Sequence, residues 1–357
     1  MDQLKRTVLF EKHQQLQAKS IGFGGWEMPV QYEGIIKEHQ ACRQDAALFD
    51  ISHMGEFFYE GNLEESGVNE VSTTDFVALP VGKCKYGFLL NEKGGVIDDL
   101  IVYKLSPNRL MFVVNAARID ADFQQIKSHI KSGIFEDKSN VTAKIDIQGP
   151  KSKALLQTLC SFDLDELQYF GFTETTLLDA PAIVSRTGYT GELGYELYID
   201  NETAPKLWDQ LIALGATPAG LGARDVLRME MGYSLYGHEL DETITPLEAS
   251  LGFFVKFNRP YIGKEALEIQ KKEGIPRKII AFSTRTKRAP RHGFEIFQNG
   301  QKIGMVTSGT FSPSVGEGIG LGLVTCAQYQ QGEPLEIKNE RGAVAIYETT
   351  LPFYKKS

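Results

Sequence analysis

Tyr86-Gly87-Phe88-Leu89-Leu90, then Asn91-Glu92-Lys93-Gly94-Gly95, then Val96-Ile97-Asp98-Asp99-Leu100-Ile101-Val102-Tyr103 form the stretch around which the chain is organised. Two apolar runs joined by five residues ending in Gly-Gly read as a β-hairpin. The anomaly is the acid pair. Side chains alternate faces along a strand, so Asp98 shares a face with Val96, Leu100 and Val102, and Asp99 shares the other with Ile97, Ile101 and Tyr103. Each carboxylate is set among apolar neighbours, so it must find donors, a cation or a ligand, or take up a proton. Two readings follow. Either one Asp meets solvent while the other caps backbone or pairs with an arginine, or the pair is placed for chemistry.

Working outward, a chain of 357 residues exceeds one typical core and divides into two or three domains. A hydrophobic share of 42% with 24% charged residues puts it among ordinary soluble globular proteins. No apolar run reaches the roughly 18 residues of a membrane span. Met1-Asp2-Gln3-Leu4-Lys5-Arg6 leads into an amphipathic pattern instead of a signal-peptide core, so the expected location is cytoplasmic, or the mitochondrial matrix if a presequence has been removed. A net charge of −8 argues against nucleic acid as the main partner. Cys42, Cys84, Cys160 and Cys326 lie far apart with no Cys-x-x-Cys and no paired histidines nearby, so neither a metal site nor a disulfide framework is expected.

Ahead of the hairpin, Leu9, Phe10, His13 and Leu16 recur at helical spacing and predict a helix over residues 7–19. Ile21-Gly22-Phe23-Gly24-Gly25-Trp26-Glu27-Met28-Pro29 reads as a loop whose glycines let the backbone approach something flat or bulky, with Trp26 as a packing anchor. A dinucleotide fingerprint is excluded there, because the glycines follow a helix where a strand is required. Residues 33–48 read as a helix, followed by His53 and a strand at 57–59. A lone histidine in apolar surroundings is more often a hydrogen-bonded core residue than a catalyst.

Beyond the hairpin, Met111-Phe112-Val113-Val114 reads as a strand that delivers Asn115 to a strand–helix junction, and Ile119, Phe123, Ile126 and Ile130 mark the helix. Residues 141–147 form another strand, and Gly149-Pro150 opens a helix with proline in its first turn. This mixture predicts an α+β domain with a mainly antiparallel sheet. Arg186-Thr187-Gly188-Tyr189-Thr190-Gly191-Glu192-Leu193-Gly194-Tyr195-Glu196-Leu197 is a turn-rich entry to a strand on which Glu196 sits amid Tyr195, Leu197 and Ile199. Glu196 is either a half-exposed strand acid or an acceptor of two parallel N–H bonds, as from the edge of a pterin or purine.

Residues 203–214 read as an amphipathic helix with Leu207, Trp208 and Leu211 inward. Gly220-Leu221-Gly222 imitates half of a dinucleotide motif, but Asp225 stands where its third glycine belongs. Arg224 in the first turn of the next helix opposes the helix dipole and calls for a compensating anion. Residues 233–248 read as a structured polar loop with several caps. A charged, Gly/Pro-containing break at 270–277 divides the chain into 1–272 and 273–357. After it come short strands at 278–284, 294–297, 302–307, 319–325 and 335–347, the last interrupted at Arg341-Gly342. With the Asn299-Gly300 turn they predict a small β-barrel or sandwich.

Taken in order, these motifs closely resemble the T-protein family of the glycine cleavage system, which are aminomethyltransferases. The resemblance runs nearly end to end, from Phe23-Gly24-Gly25-Trp26-Glu27-Met28-Pro29 and Phe49-Asp50-Ile51-Ser52-His53-Met54 to Thr307-Ser308-Gly309-Thr310-Phe311-Ser312-Pro313. It implies an α+β, folate-binding domain of mainly antiparallel sheets in two subdomains, followed by a C-terminal β-barrel domain, around a cavity for tetrahydrofolate. The implied reaction moves a one-carbon unit from an aminomethyl group on the lipoyl arm of the partner H-protein to tetrahydrofolate. The products are 5,10-methylenetetrahydrofolate, ammonia and dihydrolipoyl H-protein. The resemblance makes Asp99 the catalytic acid, with Asp98 its neighbour. Tyr86 and Asn115 would line the folate cavity, Tyr189 and Glu196 would contact the pterin, and Arg224 would contact the folate, with no metal. A fixed carboxylate stabilises positive charge on the carbon in transit far better in a water-poor cavity than in bulk. Lys287-Arg288-Ala289-Pro290-Arg291 either meets an acidic H-protein surface or is a solvated loop. Two other classes are set against this one. Folate-binding relatives acting in iron–sulfur maintenance carry a Lys-Gly-Cys motif where this chain has Arg186-Thr187-Gly188-Tyr189. Sarcosine and dimethylglycine oxidases fuse the folate domain to a flavin domain, for which 357 residues leave no room.

Overall fold

A computed structural model describes residues 4–340 and 342–356; Met1, Asp2, Gln3, Arg341 and Ser357 lie outside it, and with them the first part of the expected N-terminal lead-in and the expected break at Arg341. Packing divides the chain into two compact units, neither of which is one continuous stretch. The first takes the chain up to residue 69, then 75–86 and 100–225; the second takes 70–74, 87–99 and everything from 226 on. The hairpin is shared accordingly. Tyr86 belongs to the first unit, Asp98 and Asp99 to the second.

The main element of the first unit is a six-stranded sheet in the order Phe172–Leu177, Ala180–Ser185, Gly194–Asp200, Thr142–Gln148, Ala47–Asp50, Thr217–Pro218. All neighbours are antiparallel except the last pair. In register, Tyr195 faces Ile147, Leu197 faces Ile145 and Ile199 faces Ala143. These side chains, with Leu48 and Val184, make an apolar face. The helix Ala204–Ala213 lays Ala204, Leu207, Trp208 and Leu211 on it, all fully buried and spaced as one helical stripe. The opposite face carries Lys144, Asp146, Gln148, Glu196, Tyr198 and Ser185, and these are buried as well.

In the expected hairpin, the strands Cys84–Leu90 and Val96–Ser106 start a five-stranded sheet that continues with Arg109–Val114, Gly55–Glu60 and Ile134–Asp137. The alternation read from sequence holds: Val96, Asp98, Leu100 and Val102 are buried, while Ile97, Asp99 and Ile101 are only partly so. In the second unit the turn is locked from outside. Val96 N donates to the carbonyls of Asp241 at 2.9 Å and Ile244 at 3.0 Å, and Asn91 Nδ2 donates to the Glu242 carbonyl at 2.9 Å. That carbonyl leaves no room for a Cβ at Gly95, which explains the glycine.

Four local expectations need correction. The helix predicted over 7–19 is Phe10–Gln15, and Lys19–Phe23 pairs with Trp26–Gln31 as a hairpin turned by Gly24 and Gly25, both at positive φ. The stretch read as a loop at 21–29 is therefore β structure. Its first strand is exposed along its whole length, Ile21 and Phe23 included, so it buries no apolar face that would mark it as a core strand. Its glycine does permit a close approach: a Cβ at Gly24 would stand 3.1 Å from that of Ala116, beside Asn115. The helix predicted over 33–48 is Ile35–Gln44, because Ala47–Asp50 is drawn into the six-stranded sheet. Pro150 precedes the helix Ser152–Gln157 instead of lying in its first turn.

From residue 277 the second unit forms a closed barrel of six strands: Arg277–Ser283, Glu317–Thr325, Gln301–Ser312, Glu295–Gln298, Leu335–Asn339 and Gly342–Glu348, the last pairing back to the first. Closure leaves no free sheet edge. Inside are Ile280, Phe282, Ile296, Ile303, Val306, Val324, Leu335, Ile337 and Ile346. Asn299 and Gly300, at φ 50° and 77°, make the tight turn expected of Asn-Gly.

Candidate active site

On the buried polar face of the six-stranded sheet, Glu196 is 3% exposed and is hydrogen-bonded through both oxygens. Its Oε1 accepts from Lys144 Nζ at 2.9 Å, and its Oε2 accepts from Thr187 Oγ1 at 2.5 Å and Tyr103 OH at 3.4 Å. Tyr103 and Tyr198 share a hydrogen bond of 2.9 Å, and Ser185 and Thr187 one of 2.7 Å. Burial raises the Glu196 carboxyl, but the Lys144 ammonium and the Thr187 hydroxyl outweigh it and hold the group below its ordinary range. Glu196 is therefore an anion in the protein interior, not the half-exposed strand acid.

Asp146 stands directly opposite Glu196 in the strand register. Two like charges so placed repel. Burial pushes Asp146 up to about 7, with Glu196 adding to the rise and Arg224 and Lys144 opposing it. Arg224 Nη1 donates to Asp146 Oδ2 at 2.9 Å, so Asp146 is the anion that the sequence demanded for a cation in the first turn of the helix Leu221–Met231. The guanidinium also lies over the Tyr189 ring, 4.9 Å from its centroid. The glycines before this helix serve packing. Gly220 N donates to Glu38 Oε2 at 2.9 Å, and a Cβ at Gly220 would collide with the Val30 carbonyl.

Two further buried groups keep unusual charge states. Glu56 is fully buried with no partner for either oxygen, and burial raises it well above the carboxylate range, so it is a neutral acid. His53 is 5% exposed and packs edge-on to Phe23 with ring centroids 5.6 Å apart, while its Nδ1 has no partner. The hydrogen-bonded core histidine expected from sequence is instead a neutral imidazole whose pKa burial lowers to about 4. Asp50 acts against that shift, while Arg224 and Lys144 add to it.

Of the residues singled out from sequence, Tyr189, Glu196 and Arg224 are thus linked through Asp146 and the polar face. Tyr86 is partly buried on Cys84–Leu90. Asn115 ends Arg109–Val114 partly buried, and its carbonyl accepts from Arg118 N at 2.9 Å to start the short turn Ala116–Arg118. In the second unit Asp99 is partly buried and Asp98 wholly so. Sequence reading missed Lys144, Asp146 and Gln148. Their alternation with Ala143, Ile145 and Ile147 was the available signal, but it also describes a strand with one wet face. Among the described residues no group of three or more His, Cys, Asp or Glu side chains is arranged to hold a metal ion, and no helix is long and apolar enough to cross a membrane.

Two family models match the chain: the GCVT N-terminal domain over residues 9–259 and the glycine cleavage T-protein C-terminal barrel domain over residues 277–355. An aminomethyltransferase of Thermotoga petrophila is 45% identical over 361 residues, covering 99% of each chain. One of Halothermothrix orenii is 44% identical over 357 residues, covering 98% of this chain and all of its own. The crystal structure of glycine cleavage system aminomethyltransferase T from Bartonella henselae superposes with a TM-score of 0.92 at 31% identity, covering 99% of this chain and 98% of that one.

Proposed function

The chain belongs to the glycine cleavage T-protein family, and from that premise we infer that it is an aminomethyltransferase that passes a one-carbon unit to tetrahydrofolate. The donor is an aminomethyl group on the lipoyl arm of H-protein, and ammonia and dihydrolipoyl H-protein are the other products. The reaction is assigned to the cytoplasm, and along the sequence residues 1–272 are assigned to the folate-binding part and 273–357 to the barrel part. The structural observation that carries the reading is Glu196: a carboxylate deep in the fold that its neighbours keep ionised.

The side chains fit a reduced folate. An ionised carboxylate has about four lone-pair positions, of which Lys144, Thr187 and Tyr103 take three, so Glu196 can accept a further N–H from the edge of a pterin. Tyr189 offers a flat ring, and Arg224, 15% exposed along its side chain, offers a cation to an anionic tail. Tyr86 and Asn115 are assigned to the lining of the folate site. When bound, tetrahydrofolate supplies the nucleophilic nitrogens that receive the carbon. Asp99 is assigned the catalytic charge: its carboxylate stabilises positive charge growing on that carbon and can take a proton from the attacking nitrogen. The basic segment 287–291, whose Lys287, Arg288 and Arg291 are exposed, is assigned to an acidic surface of H-protein.

The activity is tested by ammonia release, which should require tetrahydrofolate and aminomethylated H-protein together; release with either one alone would sink the reading. For Asp99, replacement by Asn should leave calorimetric tetrahydrofolate binding intact and lower turnover about 10²–10³-fold, the worth of one preorganised charge-stabilising group. Near-normal turnover would remove Asp99 from that role.

A further inference from the structure

Asp146 and Gln148 share the polar face of the strand Thr142–Gln148, and both are fully buried. Asp146 Oδ2 accepts from Arg224 Nη1 at 2.9 Å, while Oδ1 accepts from Gln148 Nε2. The same Gln148 nitrogen donates to the Thr187 carbonyl at 3.0 Å, and Gln148 Oε1 accepts from Thr190 Oγ1 at 2.8 Å. The loop 187–190, which carries Tyr189, is therefore tied on both sides of that ring to one amide. A Cβ at Gly188 or at Gly194 would overlap this amide, so two glycines of the turn-rich stretch make room for it. Arg224 in turn lies over the Tyr189 ring. The contacts close a circuit: Asp146 holds Arg224, Arg224 covers Tyr189, the Tyr189 loop hangs on Gln148, and Gln148 returns to Asp146.

Stability alone does not account for this circuit. A buried carboxylate facing another carboxylate is costly, and apolar side chains of similar volume commonly do as well or better. What the circuit provides is a single arrangement of a guanidinium and an aromatic ring. We propose that Asp146 is a positioning residue for folate recognition, fixing Arg224 directly and the Tyr189 loop through Gln148. The inference rests on the reading that Tyr189, Glu196 and Arg224 meet tetrahydrofolate, and it adds to that reading a residue that touches none of the substrate.

The test uses the full chain with tetrahydrofolate and aminomethylated H-protein. Asp146→Asn keeps the shape and removes the charge. Its KM for tetrahydrofolate should rise about tenfold, with the calorimetric Kd for tetrahydrofolate following, because one charge-assisted hydrogen bond is worth about that factor. Its kcat and its KM for H-protein should stay within about twofold of wild type. The charged or titratable groups around Asp146 are Arg224, Glu196, Lys144 and the thiol of Cys42. As pH falls below about 7 Asp146 takes up a proton and loosens its hold on Arg224, so wild-type KM for tetrahydrofolate should rise. In Asp146→Asn that rise should be absent. Thr190→Val, which removes one donor to Gln148, provides a second route and should raise the same KM about threefold.

An unchanged tetrahydrofolate KM in both variants, with wild type active, overturns the positioning role and leaves the transferase reading intact. A fall in kcat for both substrates with no change in the pH profile marks a merely structural residue and overturns it too. Wild-type protein that neither binds tetrahydrofolate nor releases ammonia overturns both.

Discussion

The two faces of the six-stranded sheet are about equally buried, yet they are held by different physics. On one, Ile145, Ile147, Leu197 and Trp208 gain from leaving water, and each contact adds to the next. On the other, Lys144, Asp146, Gln148 and Glu196 lose solvation and recover it only through hydrogen bonds and ion pairs, with one another and with Arg224, Thr187, Tyr103 and Thr190. The apolar face tolerates partial loss because its contributions are many and small. The polar face is worth keeping complete or not at all, because half of it leaves an uncompensated buried charge.

The largest expected effect comes from half-breaking the polar face. Lys144→Met leaves Glu196 buried without its ammonium and should cost about 3–5 kcal/mol in urea unfolding at pH 7.5. The double replacement Lys144→Met with Glu196→Leu should recover most of that loss while abolishing tetrahydrofolate binding. If the double variant is as unstable as the single, the contrast between the faces fails. On the apolar side, Leu197→Ala should cost about 2–4 kcal/mol by removing buried methylenes, and the folded fraction should keep its KM for tetrahydrofolate. A changed KM there would show that the faces are not separable.

The smallest effect concerns proton uptake. His53 has a folded value of about 4 against 6.5 unfolded, so its contribution to stability is complete above 6.5 and is lost as pH falls toward 4. Asp146 acts in the opposite direction, since its raised value makes the charged form a penalty that grows as pH rises from about 4 to 7. Comparing His53→Phe with wild type at pH 7.5 and 5.0 cancels the Asp146 contribution. Wild type should lose about 2 kcal/mol more than the variant over that interval. Equal losses would mean that the His53 ring is not held neutral.

Where local chemistry suffices, the sequence could be read directly. The acid pair alternates faces as the strand period requires, although only packing showed that Asp98 is the one inside. Ala204, Leu207, Trp208 and Leu211 fall on one helical stripe, and Asn299-Gly300 turns the barrel hairpin. Arg224 announced an anion without naming it. The readings that missed depend on packing: the short strands around Gly24 and Gly25 are hidden by the glycines and proline among them, and Ala47–Asp50 follows a helix closely enough to be absorbed into it. Nor does the compact packing follow a single break in sequence, since the segments 70–74 and 87–99 join the unit that carries the barrel.

The order of residues by itself determined the central hairpin, the stripe of the helix Ala204–Ala213, the barrel and the family, because backbone periodicity, turn chemistry and motif order are properties of the chain alone. Only the tertiary structure decided that the polar side of Thr142–Gln148 is dry, that Glu196 stays charged beside Lys144, and that Asp146 answers Arg224. A carboxylate's charge depends on what surrounds it and at what distance. Elements far apart in sequence supply those surroundings, and the strand pattern reads the same whether water or protein covers it.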